Sequence, residues 1–255
     1  MKQLLIDAGN SNIVFSIHDG EQWRHHWRIH TVKNKTADEY EVILRSLLEK
    51  NSVDPHDIYR AVMCSVVPLL THAMEDMVVK LTGKELITLT PEVYKKLPLD
   101  VVSPYEIGAD IVASALGARS LYDGDLIVVD FGTALTVCGI TSHGRLTGIS
   151  IAPGMKTAVQ SLTKSTAQLP DVPLKRPPSV MGRNTVHAIQ SGVVLGYAGM
   201  VEYLVKEYAR EMNSEPKVIA TGGLSYVMEG LTNLFFDTNE MLTMEGLRII
   251  GEKYI

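Results

Sequence analysis

The sequence predicts an α/β protein built from two similar halves, and three observations support this fold class. The 255 residues are 45% hydrophobic and 21% charged, as expected for a globular protein that buries a full core. Strand-like runs alternate with amphipathic helical stretches along most of the chain. The same succession, three strands followed by alternating helices and strands, occurs twice. We therefore expect two lobes, residues 1–121 and residues 122–255.

The first half begins with strand-like runs at 3–6, 12–18 and 22–30, which are separated by turn residues. Thr36 and Glu39 have the spacing of a capping box, which predicts that a helix begins there. The elements that follow are predicted at 61–67 (strand), 69–81 (helix), 85–89 (strand) and 106–121 (helix).

The second half opens with strand-like runs at 126–131, 135–141 and 145–152. A helical stretch, a proline-rich loop at 170–178 and a long helix over 185–212 follow. The remaining elements are predicted at 217–220 (strand), 224–229 (short helix), 234–236 (strand) and 243–253 (helix).

Charge and cysteine content exclude several classes of protein. The net charge is −5 and the basic residues are scattered, so we expect neither nucleic acid nor an anionic membrane as a partner. Cys64 and Cys138 provide neither a disulfide framework nor a zinc-site spacing, which favours a reducing compartment. The N-terminal apolar run is shorter than a signal peptide requires, and no apolar run reaches about 18 residues. We therefore expect a cytoplasmic protein.

A short internal repeat is the strongest functional signal. Asp7-Ala8-Gly9-Asn10-Ser11 follows the first strand of the first half, and Asp130-Phe131-Gly132-Thr133-Ala134 follows the first strand of the second half. Glycine lets the backbone approach phosphate closely, and exposed N–H and hydroxyl groups can donate hydrogen bonds to it. A carboxylate at the same place can hold a cation or a cation-bound water. Either copy alone is typical of an ordinary turn, whereas matching copies indicate a polyphosphate site.

Two further motifs admit both a structural and a functional interpretation. The double glycine in 218–224 either ends a strand or lets the backbone lie against a base or ribose. Asp110 begins a helix, where it either favours the positive end of the helix dipole or acts as a general base toward an acceptor hydroxyl. Neither a P-loop nor a dinucleotide fingerprint is present in the sequence.

Taken together, these motifs resemble the type III pantothenate kinases, a family in the actin-like, sugar kinase and Hsp70 ATPase superfamily. The resemblance extends over nearly the whole chain. The matching segments are 7–12, 26–28, 36–40, 65–68, 108–110, 129–134, 151–154, 182–185, 190–192, 220–224 and 242–247.

The resemblance implies two RNase H-like lobes with a nucleotide cleft between them. It implies ATP-dependent phosphorylation of pantothenate, the first step of coenzyme A biosynthesis, with Mg²⁺ and a monovalent cation (K⁺ or NH₄⁺) as cofactors. It also implies a homodimer. Gly192, Gly196 and Gly199 could permit close approach of a helix from the second subunit, or could equally serve the internal core.

The resemblance also assigns roles to individual residues. Asp110 would be the catalytic base, and Asp130 would hold the monovalent cation. The expected ATP-binding residues are Asp7, Ala8, Gly9, Asn10, Ser11, Asn12, Ile13, Val14 and Thr133. The expected substrate-binding residues are Gly108, Ala109, Asp110, Ile111 and Thr185.

The sequence departs from the family pattern mainly on the acceptor side. Ile111 stands where the family usually has arginine, and Val101 where it usually has tyrosine. Loss of both polar groups would weaken pantothenate binding unless Arg183, Lys156 or Lys164 replaces them. Two alternatives therefore stay open: a kinase for another small hydroxylated acceptor, and a nucleotide-binding regulatory protein that transfers no phosphate. Another alcohol that outcompetes pantothenate would favour the former, and ATP binding without phosphoryl transfer the latter.

Overall fold

The computed structural model describes residues 2–165 and 172–254, except for the side chains of 163–165. The chain forms two compact units: Met1–Ser120 together with Leu242–Ile255, and Leu121–Met241. Pro170, part of the predicted proline-rich loop, lies outside the described residues.

The first unit contains a mixed five-stranded sheet in the order β3-β2-β1-β4-β5. Its strands are β1 (Lys2–Ala8), β2 (Asn12–His18), β3 (Trp23–His30), β4 (Ile58–Ser65) and β5 (Leu86–Thr88). The first three strands pair antiparallel, and β1-β4-β5 pair in parallel. The helices are α1 (Ala37–Lys50), α2 (Pro68–Thr82), α3 (Pro91–Tyr94), α4 (Ala109–Leu121, whose last residue falls in the second unit) and α8 (Leu242–Ile249), which a π-helical turn extends over Ile250–Tyr254.

Local chemistry explains the helix boundaries of this unit. The predicted capping box forms at the start of α1, where Thr36 Oγ1 accepts from the Glu39 N–H and Glu39 accepts from the Thr36 N–H. Pro68 occupies the first turn of α2, where its missing N–H costs nothing, and Gly83 ends that helix in a left-handed conformation (φ 69°). The apolar faces of α1 and α2 pack on one side of the sheet, against Ile6, Phe15 and their neighbours.

The second unit repeats the same sheet topology, in the order β8-β7-β6-β9-β10. Its strands are β6 (Leu126–Phe131), β7 (Ala134–Ile140), β8 (Leu146–Pro153), β9 (Lys217–Thr221) and β10 (Asp237–Thr238). The helices are α5 (Met155–Ser165), α6 (Thr185–Gln190) and α7 (Gly196–Met212), with a π-helical segment at Ser191–Leu195 between the last two. The predicted long helix therefore forms, with one irregular turn inside it.

The helix over Thr185–Met212 is long and apolar enough to cross a membrane by length and composition alone. We interpret it as a core helix, because Val193, Val194, Val201 and Val205 are buried against the sheet of the second unit.

Two predictions about the end of the chain differ from the structure. The sequence predicts that the closing helix belongs to the second half, but α8 packs on the first unit, against β1, β4 and α4. The predicted last strand covers 234–236, but the strand lies at Asp237–Thr238. Phe235 instead packs edge-to-face on Phe131 in the core, so pairing with β9 begins after it.

Candidate functional site

The first of the two turns that are predicted to bind phosphate joins β1 to β2. Asp7 lies opposite Val14 in this antiparallel pair, and the Gly9 N–H donates to the Asn12 carbonyl at 3.0 Å. A Cβ at Gly9 would lie 3.1 Å from that carbonyl oxygen, so the tight turn favours glycine. Asn10 and Ser11 are exposed at the tip. The side chains of Ala8, Ile13 and Val14 are buried, so these three expected ATP contacts can offer only their backbone groups.

Asp7 belongs to a cluster of titratable side chains near the carboxyl ends of β1 and β4. Cys64 lies opposite Asp7 on β4, and its thiol donates to Asp7 Oδ1 at 3.4 Å. Burial, together with the nearby charge of Asp110, raises the pKa of Asp7 to about 6, whereas the Cys64 hydrogen bond and Arg28 act in the opposite direction. The Cys64 thiol stays protonated because burial, together with both carboxylates, raises its pKa.

Asp110 stands in the first turn of α4. Its Oδ1 accepts a hydrogen bond from the Ile111 N–H at 2.9 Å, so the carboxylate caps its own helix. Burial raises its pKa, and the backbone N–H donors partly oppose this effect. Gly108 makes room for the carboxylate, since a Cβ there would overlap Asp110 Oδ1. The structural and the functional interpretations of Asp110 are therefore compatible.

Tyr94, at the end of α3, also belongs to this cluster. Burial, together with Cys64 and Asp110, raises its pKa to about 12. Sequence reasoning missed both Cys64 and Tyr94. The only signal for Cys64 was its place at the end of a predicted strand parallel to the one that carries Asp7.

The second turn joins β6 to β7 and brings two predicted motifs together. Asp130 lies opposite Thr221 on β9, so the acid and the double-glycine motif are direct neighbours in the sheet. Gly222 has φ 86°, and a Cβ there would overlap Asp130 Oδ1 and lie 2.8 Å from the Phe131 backbone. The carboxylate of Asp130 thus lies against the backbone of the glycine turn, and Thr133 is exposed at the tip of its own turn.

The two turns are structural counterparts. Asp7 pairs with Cys64 as Asp130 pairs with Thr221, on the fourth strand of each sheet. The turns differ in length, since residues 9–11 link the first strand pair and residues 132–133 link the second. The sequence repeat therefore reflects a duplicated supersecondary unit.

The remaining expected substrate residue, Thr185, lines an open groove of about 750 Å³ in the second unit. Thr185 begins α6, and the capping side chain of Asn184 accepts from the His187 N–H at 2.8 Å. Arg183 lines the same groove and is exposed. Lys156 is exposed on α5, whereas the side chain of Lys164 lies outside the described part of the chain.

The carboxylates of the two turns decide whether the site suits the cations that the family resemblance implies, Mg²⁺ and a monovalent cation. Among the described residues, no group of three or more His, Cys, Asp and Glu side chains is arranged to hold a metal ion. Single carboxylates such as Asp7 and Asp130 suit cations that take their other oxygen ligands from phosphate, water and backbone carbonyls. The residues present therefore fit cations that bind together with a nucleotide.

The sequence is similar to those of proteins from one known family. The profile of the family described as type III pantothenate kinase matches residues 3–207. Proteins named type III pantothenate kinase from Anaeromyxobacter sp. (strain K) and Moorella thermoacetica are 39% and 40% identical over 250 residues, which cover 98% of each chain.

Solved structures share the fold at low sequence identity. The ethanolamine utilization protein EutJ from Carboxydothermus hydrogenoformans superposes with a TM-score of 0.57 at 19% identity, covering 98% of this chain and 90% of that one. MreB 5 of Spiroplasma citri bound to AMPPNP gives 0.53 at 10% identity, covering 97% and 95%. This shared fold confirms the predicted α/β fold class.

Proposed function

The chain belongs to the type III pantothenate kinase family, and we propose that Asp110 is the base through which it phosphorylates pantothenate with ATP. One observation carries the proposal: Asp110 lies in the same cluster of the first unit as Asp7, which belongs to the turn predicted to bind phosphate. A base for the acceptor hydroxyl is thus held close to a turn suited to phosphate.

The reaction transfers the γ-phosphoryl group from ATP to an alcohol. As the pantothenate hydroxyl oxygen attacks the γ-phosphorus, its proton passes to a carboxylate oxygen of Asp110 and the bond to the β-phosphate oxygen breaks, releasing ADP. Burial raises the pKa of Asp110, which makes the carboxylate a stronger base. The Ile111 N–H keeps this side chain at the start of α4.

The phosphate contacts come from the two turns. Within residues 7–14, the Asn10 N–H and the Ser11 hydroxyl at the tip of the turn would donate to phosphate, and Thr133 would donate its own hydroxyl. Asp7 would hold Mg²⁺ and Asp130 a monovalent cation (K⁺ or NH₄⁺), and these ions would neutralise charge on the phosphates. The glycine turn at Gly222 lies against Asp130 and would contact the nucleoside.

The contacts to pantothenate have to differ from the family pattern, because the sequence differs from that pattern on the acceptor side. Ile111 provides an apolar side chain where the family usually has a cation, so another group must bind the pantothenate carboxylate. We assign this role to Arg183, because it is exposed and shares a groove with Thr185. Gly108 and Ala109 would contact pantothenate through their backbone at the start of α4.

We also propose that the enzyme is a cytoplasmic homodimer. Gly192, Gly196 and Gly199 are exposed, and a Cβ at any of them would meet no described atom within 4 Å. They therefore do not serve the core of their own subunit, which favours the other interpretation, close approach of a second helix. Both cysteines are free and buried, in keeping with a reducing compartment.

Replacement of the proposed base tests the assignment. Asp110→Asn keeps the shape of the side chain but cannot accept the proton, so kcat should fall by about 10²- to 10⁴-fold while KM for ATP changes little. ADP release is measured with pantothenate, Mg²⁺ and K⁺, and Asp123→Asn, at an exposed acid in a turn, is the matched control. Turnover of Asp110→Asn at the wild-type rate would overturn the proposal.

A further inference from the structure

In each half, the segment that follows the third strand donates two hydrogen bonds to carbonyl oxygens of the turn, and we call this pair of hydrogen bonds the tie of that turn. In the first unit, the Thr31 hydroxyl donates to the Gly9 carbonyl at 2.6 Å, and the Thr31 N–H donates to the Ser11 carbonyl at 3.1 Å. In the second unit, the Thr157 hydroxyl donates to the Thr133 carbonyl at 2.8 Å, and the Gly154 N–H donates to the same carbonyl at 2.9 Å.

The two ties are equivalent in origin and in chemistry. Thr31 directly follows β3, and Thr157 lies in the first turn of α5, shortly after β8. In each half, one threonine hydroxyl and one backbone N–H bind carbonyl oxygens of the turn. Such a pair in both halves of a duplicated fold indicates a shared requirement of the turns, since neither tie lies in the hydrophobic core.

The direction of a tied carbonyl fixes the direction of the next N–H. A trans peptide is planar, and its C=O and N–H point to opposite sides. When Thr31 holds the Gly9 carbonyl, the Asn10 N–H must point away from Thr31. In the described part of the chain this N–H makes no hydrogen bond, so it is available to a ligand. The Thr157 bond sets the direction of the Ala134 N–H in the same way.

We propose that Thr31 and Thr157 are positioning residues that orient the two turns toward phosphate, an inference that rests on the proposed role of those turns in ATP binding. Neither hydroxyl touches the phosphate in this proposal, because each donates its proton to a turn carbonyl. The threonines hold backbone N–H groups in the direction that binding requires. The turns are then ordered before ATP binds, which lowers the entropic cost of binding.

The two sites should differ in the size of their effect. Thr31 is partly buried and its hydroxyl makes the shorter bond, whereas Thr157 is exposed and its bond competes with water. Thr→Val preserves the side-chain shape and removes the donor. Thr→Ser retains the donor and removes a methyl group. Comparison of the two substitutions therefore separates the hydrogen bond from packing.

Nucleotide affinity is the quantity to measure. Dissociation constants for AMPPNP with Mg²⁺ are determined by calorimetry, and KM for ATP and for pantothenate by ADP release. We expect Thr31→Val to weaken AMPPNP binding and raise KM for ATP by about 5- to 10-fold, the usual effect of one hydrogen bond, with KM for pantothenate unchanged. Thr31→Ser should stay within about twofold of wild type, and Thr157→Val should have a smaller effect than Thr31→Val.

Thr82→Val is the matched control, because the Thr82 hydroxyl, at the end of α2, donates to the Val78 carbonyl at 2.8 Å and accepts from the Lys84 N–H at 3.1 Å, so it bonds to neither turn. It should leave AMPPNP affinity unchanged. Wild-type affinity in Thr31→Val, or an equal loss in Thr31→Ser, would overturn the inference. Because the AMPPNP measurement needs no acceptor, an enzyme that binds the nucleotide but ignores pantothenate would contradict the proposed function and leave this test intact.

Discussion

Asp7 is a carboxyl group that the fold holds at a cost in stability. Burial and, to a lesser extent, the neighbouring Asp110 raise its pKa from 3.8 to about 6. The folded protein therefore binds this proton more tightly than the unfolded chain does. Consequently, the contribution of Asp7 to the free energy of unfolding becomes less favourable as the pH rises from about 4 to about 6.

Asp7→Asn should remove this cost, because the amide carries no charge to bury. At pH 8 we expect the nucleotide-free variant to gain on the order of 1–3 kcal/mol in free energy of unfolding, and at pH 3.5 to gain little, since Asp7 is then mostly protonated in both states. Urea unfolding of both proteins at the two pH values measures the difference. An equal change at both pH values would contradict the prediction. The variant should also lose kinase activity, as is common when a functional group that destabilises the fold is replaced.

At this scale, the sequence predicts residues whose role depends on neighbours in the chain. Asp7 and Gly9 were recognisable because a strand-end acid and a turn glycine occur within three residues. Cys64 was not, because its bond to Asp7 joins residues 57 positions apart and depends on the register of two parallel strands. Thr31 escaped notice for the same reason, since its partner Gly9 is 22 residues away.

Helices α4 and α8 are in backbone contact, and two glycines make this possible. A Cβ at Gly246 would overlap the Ala113 carbonyl, and a Cβ at Gly117 would overlap the Leu242 carbonyl. Since Asp110 stands in the first turn of α4, the position of this catalytic candidate depends on how closely α8 approaches.

Gly246→Ala should therefore push the two helices apart. We expect it to lower the free energy of unfolding by about 1–3 kcal/mol, as overpacking does, even though alanine favours a helix. Displacement of α4 should also reduce kcat more than it raises KM for ATP. Urea unfolding and ADP release measure both effects, with Ser46→Ala at an exposed position of α1 as the control. A variant as stable and as active as wild type would show that α8 tolerates the methyl group.

Whole elements were predicted well where hydrophobic alternation and turn residues coincide, as in β1, β2, β6 and β7. The sheet that an element joins was harder to predict. The amphipathic pattern of α8 shows that one face is buried, but both units have an apolar core, and only the three-dimensional path of the chain selects the first. The shift of β10 has a similar cause, since the core takes Phe235 and leaves the next residues to pair.

For the whole molecule, duplication explains most of what the sequence reveals. Both sheets have the same strand order and the same mixture of parallel and antiparallel pairs, so a motif at one place in the first half has a counterpart in the second. The counterparts have diverged: Cys64 corresponds to Thr221, and a three-residue turn to a two-residue turn. Among the described residues, the exposed glycines of the long helix have no close packing neighbour outside their own helix backbone, and this leads to the last prediction.

Gly196→Trp should weaken the proposed homodimer without unfolding the subunit. A Cβ at this exposed position meets no described atom within 4 Å beyond the backbone of its own helix, so a side chain can leave the helix toward solvent, whereas a second helix at close range would exclude it. Sedimentation velocity over a range of concentrations should show a dimer for the wild type and a shift toward monomer for the variant. Ser46→Trp, on α1, introduces the same ring at an exposed site outside that face and should sediment like the wild type. If Gly196→Trp forms a dimer as tight as the wild type, the glycine face is not the subunit contact.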